Sequence, residues 1–542
     1  MSDNQDEQKP TSQEPDKKST AEKLLGFLLL LLVFMMTSQW GMPFPPGKKP
    51  LLFVAYGDIV LGIAFLVWLV AFISKNGIKA LIPKCGKERC SWQVQSPPLA
   101  FYGFIAITLI SCAFAGSKKL ALKEALQVIE FFAVAGLVFS NGFRTEESWR
   151  RAIVAFAAGT SAVLLLALFQ YFTEGNGFKI SGTFGSKNIL AVFIALVLPF
   201  FLGLAITEKN VPRKVWWLLL MAPGLLVCLS FGAIVAIIVG TLVVLAGTRC
   251  RWVLLGGCLA WTVLFAAGPH LYRHPNQMEM LHSSIALYIK SNYYFTPAGA
   301  SAQMKEIVWL DKEGEAEGDF NTARDFLAVY ENLHPNHTGL KPARDHMQKI
   351  LDYFNKDVED ESEKISLDLS TPPDLVANSR YIRWHAAWKL IGSSRWLGLR
   401  GVGPGGFREG TNKHYPPGGP LRKPTAVGRG GAPDTFAITS NEPDSFNQYL
   451  VYAAELGLLG LLAFLWILFE GLSNTLTAIK SGNPQVRGIG LGVLGAVSSA
   501  LIVAIFHPLV VRGLGPVLVF LLCAAQYAAS SAAKENSQTE AA

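Results

Sequence analysis

Charge is scarce in this chain. Asp, Glu, Lys and Arg make up 16% of its 542 residues, against about 25% in soluble globular proteins. With 51% hydrophobic residues and a mean hydropathy of +0.32, this excludes a disordered protein and an ordinary soluble enzyme. Cysteine is also scarce. There are seven, none of them between residues 269 and 447, which excludes a small disulfide-stapled scaffold. Cys85 and Cys90 have no second pair at metal-ligand spacing and read as ordinary thiols. A basic soluble face is missing too. The net charge of +8 resides in short loops and one long insert, so nucleic acid is not an expected partner.

Long apolar runs are abundant. A stretch of roughly 17–25 apolar residues spans a bilayer as a helix, and lipid leaves a spanning backbone few alternatives. The sequence predicts an all-α polytopic membrane protein with about twelve spans, near 24–40, 51–73, 99–115, 122–140, 152–172, 188–206, 215–230, 231–247, 252–268, 448–470, 485–507 and 513–530. Residues 1–23 read as a polar, disordered leader, not a signal peptide, because no small-residue cleavage site follows Trp40. The expected organisation is this leader, a bundle over 24–268, a large and mainly helical loop domain over 269–447, helices over 448–530 and a tail over 531–542.

Lysine and arginine in short loops set orientation. With the N-terminus inside, the inner segments carry 20 such residues and the outer short loops 8. Both termini are therefore expected in the cytoplasm, and the 269–447 loop outside. The outside is then a periplasm or its equivalent.

That loop is uneven in charge. His270 to Asp374 holds 10 basic and 18 acidic residues, whereas Leu375 to Gly430 holds 10 basic residues and one acid, Glu409. The acidic part predicts two antiparallel helices, from the spacing of Ala323, Phe326, Leu327, Tyr330 and Leu333 and of Met347, Ile350, Leu351 and Phe354. His334 and His337, and His270 and His274, lack a helpful carboxylate, so no metal is expected. The basic part would attract phosphate at a membrane surface. In Asn378–Ser393, Arg380, Arg383 and Ala387 share one helical face, and Tyr381, Trp384, His385 and Trp388 the adjacent one. Trp and Tyr favour the headgroup zone, and two guanidinium groups can grip one phosphate. The simpler alternative is an interfacial anchor with snorkelling arginines. GVGPGGF (Gly401–Phe407) reads as a tight turn.

Three blocks, SGTFGSKNILAVFIALVLPF (Ser181–Phe200), RYIRWHAAWKLI with GVGPGGF (Arg380–Phe407) and FNQYLVYAAELGLLGLLAFL (Phe446–Leu465), resemble the bacterial O-antigen ligase family, which includes O-antigen polymerases and protein O-oligosaccharyltransferases. The resemblance implies a membrane-embedded glycosyltransferase without metal, cofactor or nucleotide sugar. Such an enzyme takes a glycan from undecaprenyl pyrophosphate and passes it to lipid A–core, another glycan or a protein. Gly182, Asn188, Gly403, Gly405, Asn447 and Glu455 are the motif positions carried over.

A pyrophosphate leaving group then needs cations near the membrane. Lys179 and Lys187, flanking the Gly-Thr-Phe-Gly turn, and Arg380 and Arg383 are the candidates. The acceptor hydroxyl needs a general base. Where the family has a His-Asn pair this chain has Phe446-Asn447, and the arginine after the serine preceding span eight is replaced by Phe231. Asp444 is the favoured base, with Glu442, His385, His414 and His507 as alternatives. Glu442 and Asp444 could equally cap the following helix. Glu455, about two turns into a predicted span, is a functional position by default, or a structural hydrogen-bond partner. Two other readings stay open: a degenerate relative that binds or scaffolds lipid-linked glycan, and a secondary transporter.

Overall fold

The computed structural model describes residues 20–38, 41–44, 52–76, 84–85, 90–91, 97–174, 180–184, 186–228, 230–248, 308–310, 316–318, 327, 341–354, 380–412, 414, 447–510 and 514–541. These are mainly helical. In chain order, α1 (Thr20–Met35) leads to a two-stranded hairpin of β1 (Gly41–Phe44) and β2 (Leu52–Ala55), then α2 (Tyr56–Asn76). A second hairpin, β3 (Lys84–Cys85) and β4 (Cys90–Ser91), sets Cys85 and Cys90 opposite each other in register. Next come α3 (Leu99–Cys112) and α4 (Lys118–Val128), which passes through a π-helical segment (Ile129–Ala135) into α5 (Gly136–Gly142). The bundle continues with α6 (Glu146–Glu174), α7 (Lys187–Thr207), α8 (Val211–Val227) and α9 (Phe231–Gly247).

The third hairpin is β5 (Val308–Leu310) and β6 (Ala316–Gly318), followed by α10 (Lys341–Phe354). Then come α11 (Arg380–Gly392), α12 (Arg395–Arg400), α13 (Phe407–Asn412), α14 (Gln448–Glu455), α15 (Gly457–Ala478), α16 (Pro484–Phe506) and α17 (Leu514–Ala541).

Among the described residues six helices are long and apolar enough to cross a membrane: Tyr56–Asn76, Glu146–Thr173, Asn188–Thr207, Gly457–Ala478, Pro484–Phe506 and Leu514–Gln538. Three shorter apolar helices, Lys23–Met35, Leu99–Cys112 and Gly232–Gly247, accompany them. The chain is thus a helical protein with the apolar elements of a membrane protein.

Helices α7 and α16 form the centre, with α9 beside them. The glycines of α16 make this possible. A Cβ at Gly203 would lie 2.2 Å from the backbone nitrogen of Gly492, and one at Gly240 would lie 2.1 Å from Ser499 Oγ. Close backbone approach through small residues is the usual way apolar helices associate in lipid, where dispersion replaces the hydrophobic effect. Ser499 Oγ adds a hydrogen bond to the Ala236 carbonyl at 2.8 Å, joining α16 to α9.

Several expectations need correction. The predicted span 448–470 is two helices, broken at Leu456. The reason is a backbone contact at Gly457, described below. The apolar run from 51 does not start helical: Leu52–Ala55 pairs as a strand, because Gly41–Phe44 supplies a partner for its amides and carbonyls. The acidic half of the large loop, read as helical, also holds the hairpin of β5 and β6. The α17 helix does not stop at 530 but runs through the expected tail to Ala541, where Ser481 Oγ donates to Glu535 at 2.5 Å. In the acidic half, α10 matches the second expected helix, with Met347, Ile350 and Leu351 buried. Of the first, Leu327 alone is described. Predicted span 252–268 and both histidine pairs lie outside the described residues.

Contacts sort the connections into two ends. Helix α16 runs antiparallel to α7 and α9: Gly232 meets Phe506, and Gly247 meets Leu491. One end therefore holds the α6–α7 and α8–α9 turns, the start of α14 and the end of α16. At the opposite end, Asn483 Nδ2 donates to Glu146 at 3.1 Å, joining the α5–α6 and α15–α16 connections. The loops that the sequence assigns to one side thus meet at one end, and those it assigns to the other side at the other.

Candidate functional site at one end of the bundle

The glycine-rich turn is built around a backbone contact. Helix α12 is capped by Ser394 Oγ, which accepts from the Leu397 amide at 3.4 Å, and is ended by Gly401 at φ 72°. The chain then runs beside the last turn of α14. Val402 N donates to Ala454 O at 2.9 Å, and Gly403 N to Glu455 O at 2.8 Å. Helix α14 stops there and α15 starts at Gly457, also at φ 72°. A Cβ at Gly401 would lie 2.1 Å from Glu455 O, and one at Gly457 would lie 2.1 Å from Leu399 O. The two backbones touch only because both positions lack a side chain. That contact is why an apolar sequence that reads as one span is broken.

Glu455 fixes the rest of the turn. Its side chain is buried and accepts the Phe407 amide at 3.1 Å and the Gly405 amide. The carboxylate thereby takes two N–H groups of the Gly-Pro-Gly-Gly-Phe segment at the start of α13. The other side of the turn presses on the α3–α4 connection and the first turn of α4, where a Cβ at Gly403 would meet Ala115 and one at Gly405 would meet Leu120. Arg400 lies over the Phe114 ring at 4.8 Å, a cation–π contact that ties α12 to the same connection. Glu124 of α4 is a second carboxylate near Glu455.

Helix α11 rests on this assembly. Ala387 and Leu390 are buried with Phe407, Leu450, Val451 and Ala454. Trp388 is 63% exposed and Trp396 of α12 75% exposed. The expected aromatic face therefore divides: Trp388 faces outward with Trp396, while Trp384 packs against the cluster. Arg380 and Arg383 stand in the first turn of α11, and His385 in its second.

Beside it lies a polar cluster. Asn447 is the N-cap of α14, its Oδ1 accepting the Leu450 amide at 3.0 Å. The cap that the alternative reading gave to Glu442 or Asp444 is thus made by Asn447. Gln448 Oε1 accepts from Leu509 N at 2.8 Å and Val510 N at 3.1 Å, and Tyr449 OH donates to Leu501 O at 2.6 Å. His507 Nε2 and Ser230 Oγ share a hydrogen bond of 2.8 Å, with both residues buried.

The Gly182 turn, at φ 58°, is held by Gln170 of α6. Gln170 Oε1 accepts from Ser181 N at 3.0 Å and Gly182 N at 2.8 Å. This fixes the approach to α7, whose first residues are Lys187 and the half-buried Asn188.

The structure therefore joins Gly403, Gly405, Glu455 and Asn447 through α14, and places Arg380, Arg383 and His385 on the helix packed against it. Gly182, Lys187 and Asn188 lie on the separate α6–α7 turn at the same end. His414 follows α13, its amide donating to Thr411 O at 2.9 Å. Lys179, Glu442, Asp444 and Phe446 lie outside the described residues. Among the described residues no His, Cys, Asp and Glu cluster could hold a metal ion. Sequence reasoning missed Gln170, Gln448 and Ser230. Two are glutamines in or beside apolar helices, where an amide side chain needs a partner, and that cost was the available signal. No protein-family model matches the chain, and no curated protein matches it.

Proposed function

We propose that the chain is a metal-independent membrane glycosyltransferase that moves a glycan from undecaprenyl pyrophosphate to a glycan, lipid A–core or protein acceptor at the periplasmic face of a bacterial inner membrane. The observation that carries this reading is the packing of α11, which bears Arg380 and Arg383, onto the clamped glycine turn and α14. Ala387, the residue that shares a helical face with the two arginines by spacing, is buried in that contact. The helix that bears both cations is thereby packed against the clamped turn through its later turns. Rigid placement matters because charge stabilisation of a departing pyrophosphate depends on donors that need no reorganisation.

Outward-facing Trp388 and Trp396 support a location at the headgroup level. The six long apolar helices, the three shorter ones, the α4–α5 segment and α8 support a polytopic arrangement, and the reading takes it to have twelve spans with both termini inside. Asp444 remains the favoured general base, with Glu442, His385 and His414 as alternatives. His507 is less suited, because its ring is buried against Ser230.

The test is reconstitution of the full chain in proteoliposomes with a polyprenyl-pyrophosphate-linked glycan and, in turn, a lipid A–core, glycan or protein acceptor. Transfer to one of them is expected. Donor binding without transfer to any acceptor would favour the scaffolding alternative, and proton-coupled uptake would favour a transporter.

A further inference from the structure

A cavity of 720 Å³ lies at the bundle end opposite the glycine turn. Its walls come from α1, α6, α7, α8 and the start of α16. Two features make it amphipathic. Toward the middle of the bundle the lining is apolar, with Leu30, Ile153, Val154 and Leu204. Val154 is half exposed, so this wall continues onto the outer surface of α6. At the helix ends the lining is charged, with Arg150, Arg151, Lys209 and Arg213.

These cations are not all spent internally. Glu147 takes both Arg150, at 2.6 Å, and Arg151, at 2.8 Å. Glu146 and Glu208 are the lining acids, and Glu208 accepts the Asn210 amide at 3.0 Å. Among the described residues Lys209 and Arg213 enter no ion pair. The lining thus holds four cations against two carboxylates, and with Glu147, which pairs with Arg150 and Arg151 from outside the lining, one positive charge is left over. The ends of α8 and α16 add no open amide site, because Asn210 and Asn483 already cap them. Attraction for an anion therefore rests on the side chains.

We propose that this cavity binds an anionic glycerophospholipid from the surrounding bilayer. Its phosphodiester pairs with Lys209 and Arg213, and its acyl chains lie along the Val154 wall. A single phosphodiester carries one negative charge, which matches the surplus. A zwitterionic lipid brings its own cation and gains less. The site is independent of the proposed glycan chemistry, which uses the other end of the same helices.

The test uses the full chain, purified in detergent and stripped of lipid, with phosphatidylglycerol and phosphatidylcholine titrated separately and retention counted by native mass spectrometry. Phosphatidylglycerol should bind at least tenfold tighter. Replacing Lys209→Gln and Arg213→Gln together should weaken it about 10²-fold, or about tenfold per charge-assisted hydrogen bond lost. Lys341→Gln with Lys349→Gln, exposed cations of α10, should leave it unchanged. If the double variant aggregates, the two single variants carry the test. Equal binding of the two lipids, wild-type binding by the variants, or glycerol 3-phosphate competing as strongly as the lipid would each overturn the proposal.

Discussion

Ser230 Oγ and His507 Nε2 lie 2.8 Å apart in the interior, linking the start of α9 to the end of α16. The residues are 277 positions apart in the chain, and Gly232 and Phe506 pack next to them. A buried polar pair of this kind matters mainly because removing either member takes an interior hydrogen bond from the other. His507→Ala is expected to lower stability by about 1–3 kcal/mol. Ser230→Ala should cost a similar amount, and the double variant less than the two together. Thermal unfolding in detergent provides the cycle. Strict additivity would mean the hydrogen bond contributes nothing.

The contact between Gly401 and Gly457 predicts a sharp positional contrast. Alanine at either position meets a carbonyl oxygen at 2.1 Å in addition to an unfavourable positive φ. The left-handed conformation alone costs an L-residue about 1–2 kcal/mol, so Gly401→Ala and Gly457→Ala should each reduce folded yield severely. Gly392→Ala has open space around its added methyl and should elute from size exclusion as wild type does.

The same reasoning applies to the bundle centre. Gly203→Ala would push a methyl into the backbone of Gly492 and should destabilise α7–α16 packing by about 1–3 kcal/mol, as overpacking does. Gly62→Ala in α2 meets nothing within 4 Å and should be neutral or stabilising by up to about 1 kcal/mol. Paired melting curves decide the matter, and equal effects would contradict the packing described for α7 and α16.

Glu455 separates shape from charge. Glu455→Gln keeps a carbonyl oxygen that can accept the Phe407 amide, whereas Glu455→Ala removes both acceptors. The alanine variant should lose about 1–3 kcal/mol and expose the Gly401–Phe407 turn to limited proteolysis. The glutamine variant, with one acceptor oxygen for the two amides, should fall between wild type and alanine. Equal sensitivity would mean the carboxylate does not hold the turn.

Much of the bundle was legible because apolar length is a strong signal when lipid demands internal hydrogen bonding. Helices α2, α6, α7 and α16 fall close to their expected ranges for that reason. The break at Leu456 was not legible, because it depends on Gly457 meeting Leu399 from a distant segment, and composition says nothing of such contacts. Strand β2 was hidden for the same reason: Leu52–Ala55 reads as apolar until its partner is known. At the site, the spacing of Gly401, Gly403 and Gly405 correctly indicated a tight turn. The part played by Glu455 was half legible. Its position announced importance, but its acceptance of the Gly405 and Phe407 amides required the fold. Gln170 and Gln448 were overlooked because a single amide in an apolar run has no periodicity to reveal it.

The most direct measurement of the central claim is glycan transfer by single alanine variants at Arg380, Arg383 and Lys179, assayed against wild type in proteoliposomes holding a polyprenyl-pyrophosphate donor. Each loss of a positive group should slow transfer on the order of 10²-fold while the variant remains folded. Wild-type rates in all three would contradict the assignment of these cations to the departing pyrophosphate.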